Sequence, residues 1–342
     1  MNPRARIRSR ANSTAFGAAG NRGLPQRRVA TPLRVGIGVV LLCLACCKSP
    51  SDFGAIAKSG SDASQQLAAY YSQLQDTTHR TLQLIYFLDG LRGISNNPSY
   101  DLLRQRRTEL EKRRVFATSL AAMYTSFSAL VSTNDKDQIA AAVKDVSSSL
   151  MSLKVFKTAG SADDTAQKAV TGLLNDIDQL LRERKAERIA PRLQALNEGV
   201  VSFLHGEAAV YESFGQDYNN NLRNVGVELI NGGYADPTSL LADEITALGL
   251  TPVPGSQLSA QAKLGYENVL RYKGDQIASG MTSALHAIIG AFTALGQAYA
   301  DVASQRAASS SSVKSFIEEA ASALGGLGEQ KKGADNGNAA SK

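Results

Sequence analysis

The chain has no tryptophan, few aromatics (6%) and only three cysteines in 342 residues. All three cysteines lie at 43, 46 and 47, so no disulfide can staple the chain beyond residue 47 and stability has to come from packing. No run of alternating Val, Ile and Thr bounded by turn residues occurs, while Ala and Leu abound. That balance favours closely packed helices over a β-sandwich. Histidine occurs three times. No phosphate-binding loop, zinc signature, nucleophile elbow or dinucleotide fingerprint is found. The sequence therefore speaks against an enzyme and offers no site for a metal or cofactor.

A net positive partner surface is also lacking, despite a formal charge of +6 and a pI near 9.2. Of the 37 Lys and Arg, eight arginines fall in residues 1–34, where no acid occurs, leaving 29 basic against 31 acidic residues. Nucleic acid is thereby excluded as the expected partner.

The arginine-rich start is succeeded by an apolar run, VGIGVVLLCLA, at residues 35–45, and then by two cysteines. This is the order of a secretory signal, and the run is far shorter than the roughly 20 residues that span a bilayer as a helix. Leu44, Ala45, Cys46 and Cys47 resemble the lipobox of bacterial lipoprotein signal peptides, over about residues 29–48. Cys47 has Leu44 three residues before it but Cys46 where a small residue is usual. Cys46 has Ala45 before it but Cys43 in the leucine position. The resemblance implies a thioether-linked lipid on Cys47, with Cys46 as the alternative, anchoring the mature chain in a bacterial envelope membrane. The outer membrane, facing periplasm or cell surface, is the expected location.

Apolar residues then recur at alternating steps of three and four. Leu67, Tyr71, Leu74, Thr78, Leu82, Ile85 and Leu88 mark a first helix, capped at Ser61 or Asp62. Phe116, Leu120, Met123, Phe127 and Leu130 mark a second, over 99–132. Ile139 to Leu153 and Val170 to Leu180 stripe two more, the latter ending near Ala190 ahead of Pro191, where either a new helix or a kink begins. A pattern of almost forty residues then runs to Leu229, and Gly232-Gly233 end it. Asp236-Pro237 opens a short helix closed by Gly249. A last long helix carries Ile277 to Val302. The expected fold is all-α, an up-and-down bundle of long antiparallel helices with heptad-like packing. Its expected limits are a signal over 1–46, a flexible tether over 47–60, a bundle over 61–324 and a disordered tail over 325–342. A sub-boundary is expected near 191 or 250–256.

Few residues invite chemistry. Asp76 and His79 share the i,i+3 spacing of carboxylate metal centres, but no second such pair accompanies them. His205 has Glu198, Glu207 and Glu212 nearby, too far along one helix for an acid–base pair. The densest charge run, RQRRTELEKRR, places Arg104, Arg106, Arg107, Lys112, Arg113 and Arg114 as candidate contacts for an anionic partner. RERKAER, at 182–188, is shorter. A solvated face of i,i+4 pairs is the competing account.

Together these features predict a membrane-anchored, non-enzymatic binding or scaffolding module that contacts a protein partner or a second copy of itself. A second possibility is a sensor holding a small solute where Tyr218, Tyr266 or Tyr272 meets an arginine. A third is a membrane-active, pore-forming-like protein, inserting the Gly- and Ala-rich stretch from Gln276 to Ala303. Its Gln, Ser, His and Asp residues instead favour a buried central helix.

Overall fold

A computed structural model describes residues 50–129, 136–153, 162–183, 186–251 and 253–336. The signal segment, Cys46 and Cys47 lie outside the described residues. Residues 48–342 form one compact unit. Its helices are α1 (Pro50–Leu91), α2 (Ser99–Ser128), α3 (Lys136–Met151), α4 (Ala162–Glu183), α5 (Ala186–Asn231), α6 (Ala242–Ala247), α7 (Ala260–Ala303) and α8 (Ser311–Asn336). Short 3₁₀ turns cover Pro237–Leu241 and Gly255–Gln257, and no strand occurs among the described residues.

The cross-helix contacts fix the directions. Along α1 and α2, Ser61 meets Thr125, Gln75 meets Glu111 and Tyr86 meets Arg104, so the two run antiparallel. Asn219 bonds to Asp275 and Asn231 to Glu267, which sets α7 antiparallel to α5. Tyr71 with Tyr211 and Arg92 with Glu228 set α1 parallel to α5. Helix α8 folds back along α7, with Leu327 against Gly280 and Phe316 against Gly290. The bundle therefore has a near end, at Pro50, Ser128 and Ala303. Its far end holds the turns at 92–98 and 232–259.

The heptad stripes are the core. Phe116, Leu120, Met123 and Phe127 of α2 and Ile139, Val143, Val146 and Leu150 of α3 are all buried. Helix α7 adds Met281, Leu285, Ile288, Phe292 and Leu295 to the same cluster, which extends from Phe53 to Leu327. By length and composition α7 is the one described helix apolar enough to cross a membrane. Its Ala284, Ala287 and Ala291 are covered by neighbouring helices, as expected of a central helix. The far-end punctuation also agrees with the sequence. Asp236 accepts a hydrogen bond from the Thr238 backbone N–H at 2.9 Å, and Gly249 takes φ +70.

Four boundaries differ from expectation. The tether over 47–60 is corrected: α1 begins at Pro50, and Phe53, Ile56 and Ala57 are at most 2% exposed. These residues extend the stripe of Leu67 backwards at three- and four-residue steps, and burying each large one stabilises by about 1.5–3 kcal/mol. Gly60, whose composition resembles a linker, permits close approach: a Cβ there would sit 2.8 Å from the Tyr124 ring. The tail is corrected over 325–336, because α8 continues to Asn336, with Leu327 at 6% exposure beyond Gly325 and Gly326; 337–342 lie outside the described residues. Pro191 starts no helix and lies inside α5, whose Ile189 and Ala190 are already buried. Helix α4 correspondingly ends at Glu183, and α2 ends at Ser128. With α5 continuous through Pro191 and one core from Phe53 to Leu327, no sub-boundary divides the bundle there.

Candidate functional site

The basic stretch of α2 is threaded with counter-charges from its own helix and from α5, and with polar groups of α1. Arg104 bonds to Asp101 at 3.1 Å and to the Tyr86 hydroxyl at 2.6 Å. Arg106 reaches Asp217 at 2.9 Å and lies over the Phe214 ring. Lys112 pairs with Glu109 at 2.8 Å and Arg114 with Glu111 at 2.8 Å, and Arg107 contacts His79 Nδ1 at 3.5 Å. The hydrogen bond from Arg114 holds the Glu111 carboxyl below its ordinary pKa. What reaches solvent is a mixed, largely compensated face rather than a cationic one. In the second cluster, 184 and 185 lie outside the described residues.

Arg113 is a correction, because it is fully buried and cannot touch a partner. It stands three residues before Phe116 on the apolar stripe, so its helix carries it inward. There Nε donates to Glu207 Oε2 at 2.8 Å and to the Tyr211 hydroxyl at 3.1 Å. Nη2 donates to Glu207 Oε1, and Nη1 to the Glu109 carbonyl at 3.0 Å. The guanidinium lies 5.7 Å from the Phe203 ring centroid. Glu207 and Tyr211 are one turn apart on α5, and both are fully buried; the Tyr211 hydroxyl donates its proton to Glu207 and lies 3.3 Å from the Tyr71 hydroxyl. Burial opposes the charge on Arg113, but the Glu207 hydrogen bond and the surrounding negative groups outweigh it and raise its pKa.

Burial also pushes up the pKa of Tyr71, Tyr211, Tyr124 and Tyr299. Near the other end of the core, Tyr124 donates to Asn197 Oδ1 at 2.9 Å. These polar groups are sealed from solvent and have no route to a substrate. Their geometry instead locks α1, α2 and α5 in one register, since a slip of one turn would strand two buried charges. The signal was present in the sequence: Arg113 and Glu207 each occupy a core position of their stripes.

The other candidates separate. His79, His205 and His286 are exposed, and Glu207, considered as a partner of His205, belongs to Arg113. Among the described residues no group of three His, Cys, Asp or Glu comes together to hold a metal. Tyr218 and Tyr266 are buried, whereas Tyr272 is 62% exposed and accepts a hydrogen bond from Gln276.

Two grooves are open among the described residues, one of about 710 Å³ between α7 and α8 and one at the far end. The far-end groove, of about 360 Å³, lies between the ends of α1, α5 and α7, lined by Arg92, Arg223, Asn224, Val227, Glu228, Leu264, Glu267, Asn268 and Arg271. Arg92 pairs with Glu228 at 2.9 Å. Around it, apolar side chains stand unusually bare: Ile94 is 44% exposed, Tyr234 72%, Leu248 74% and Leu250 61%. No protein family, curated protein or solved structure matched the chain when it was compared with them.

Proposed function

We propose that this protein is a lipid-anchored bacterial envelope lipoprotein whose helical bundle is a non-enzymatic scaffolding module, holding a protein-contact surface away from the membrane. The observation that carries this reading is the distribution of exposed apolar residues. Of the large apolar side chains exposed among the described residues, all but Val115 and Met151 lie in 86–102 or 234–272, toward the far end. Soluble surfaces scatter such residues singly, and concentration at one site marks an interaction surface.

The anchor position complements that surface. Cys47 is three residues from the start of α1, so a lipid on it keeps the near end within about 10 Å of the bilayer. The 42 residues of α1 extend roughly 63 Å at 1.5 Å per residue, which carries the exposed end outward. The buried Arg113–Glu207 register supports the same role, since a spacer has to keep its length. A photo-crosslinking amino acid at Leu250 in living cells is expected to capture a discrete protein, or a second copy of the chain, while the same probe at Met151 captures none. Equal capture at both positions, or at neither, contradicts the reading.

A further inference from the structure

The far-end groove has a charge arrangement that the scaffold role does not use. Arg223 of α5 and Arg271 of α7 stand at matching levels of the antiparallel pair, as the flanking contacts of Gly226 with Leu270 and Asn219 with Asp275 show. Among the described residues neither guanidinium has a hydrogen-bond or ion-pair partner. Of the two carboxylates that line the groove, Glu228 pairs with Arg92, which lines it too, at 2.9 Å, and Glu267 accepts from Asn231 at 3.2 Å; three arginines against two carboxylates leave the groove net positive. The carboxamides of Asn224 and Asn268 are likewise unengaged and line the same wall. Two like charges held in one concavity repel each other, and an anion between them relieves that repulsion while gaining charge-assisted hydrogen bonds.

We propose that the groove between Arg223 and Arg271 is a binding site for a phosphate monoester. A carboxylate offers two acceptor oxygens and one charge. A phosphate monoester offers three oxygens and up to two charges, which matches two forked guanidinium groups and two carboxamide donors. The volume of about 360 Å³ leaves room for the group esterified to the phosphate. Val227 and Leu264 on the wall give that group an apolar surface. The site stands on the bundle geometry alone and does not depend on the lipoprotein reading.

Isothermal titration calorimetry on the full chain in detergent tests it, with glycerol 3-phosphate and dihexanoyl phosphatidic acid as probes. Saturable binding at one site is expected, weakened about tenfold or more by Arg223→Gln and by Arg271→Gln. The control Arg306→Gln, whose guanidinium pairs with Asp301 at the near end, is expected to leave it unchanged. Circular dichroism checks that the variants stay helical, and Arg223→Lys, which retains the charge, is expected to keep part of the affinity. Tighter binding of the phosphatidic acid identifies a lipid headgroup as the source of the phosphate, and equal or weaker binding identifies a soluble ester. Absence of binding by the unaltered chain, or undiminished binding by the two Gln variants, overturns the proposal.

Discussion

Arg113 and Glu207 form a fully buried ion pair, and a double-mutant cycle on them tests whether it sets the register of the bundle. Removing one partner leaves the other charge without its counter-ion in a site closed to water, which costs about 3–5 kcal/mol. Glu207→Met is expected near the lower end of that range, because Glu109 Oε2 lies 3.9 Å from Arg113 Nη1 and takes up part of the charge. Arg113→Met is expected to cost about as much, since Glu207 then keeps only the Tyr211 hydroxyl. The double variant Arg113→Met/Glu207→Met removes both charges and fills the space with flexible apolar side chains. It leaves Tyr211 bonded to Tyr71 at 3.3 Å, so its cost is expected to be about 1 kcal/mol. Urea unfolding monitored by far-UV circular dichroism measures all four corners of the cycle. Two single variants within about 1 kcal/mol of the parent, or a double variant that costs as much as both singles together, would refute the reasoning.

Three further outcomes are expected. Burial raises the pKa of Tyr70, Tyr71, Tyr124, Tyr211 and Tyr299, so in the folded state they stay protonated while the unfolded chain loses their protons above pH 10. Stability is then intact below pH 10 and falls above it, by about 1.4 kcal/mol per pH unit per tyrosine, and absorbance at 295 nm should show these groups ionising only as helicity is lost. Ionisation of every tyrosine near pH 10 with the helices intact would contradict the buried placement. Phe53→Ala is expected to destabilise by about 3–5 kcal/mol in thermal or urea unfolding, whereas a residue in a flexible tether would change stability by less than about 0.5 kcal/mol, by the general rule for exposed sites. Replacing Leu248, Leu250 and Val253 together by serine is expected to leave stability within about 0.5 kcal/mol and to abolish crosslinking from the far end; unchanged crosslinking would move the contact elsewhere.

The fold was legible wherever spacing carried it. Phe116 to Phe127 and Ile139 to Leu150 repeat at three and four residues with no competing signal, and every one of them is buried. Composition misleads where it conflicts with spacing. Gly54, Ser59 and Gly60 look like a linker, yet Phe53, Ile56 and Ala57 fall on the core stripe, and Gly60 is small because Tyr124 packs against it. Gly325 and Gly326 read as a stop, but Leu327 one residue later lies against Gly280 and extends α8 over α7. Arg113 shows a second kind of blindness. A run of six basic residues reads as a surface, and only the stripe position separates the inward-facing member from the others. Its partners, Glu207 and Tyr211, lie 94 and 98 residues away, a distance that no local pattern bridges. The groove with Arg223 and Arg271 was illegible for the same reason, since it depends on the register of α5 against α7.

The anchored state of the chain is the claim on which the proposed role rests, and the mass of the mature N-terminus tests it most directly. Mass spectrometry of protein extracted from membranes is expected to find a chain beginning at Cys47, or at Cys46, that carries a diacylglyceryl thioether and an N-terminal acyl group. A chain that retains Met1, or one cleaved elsewhere with unmodified cysteines, would contradict the account.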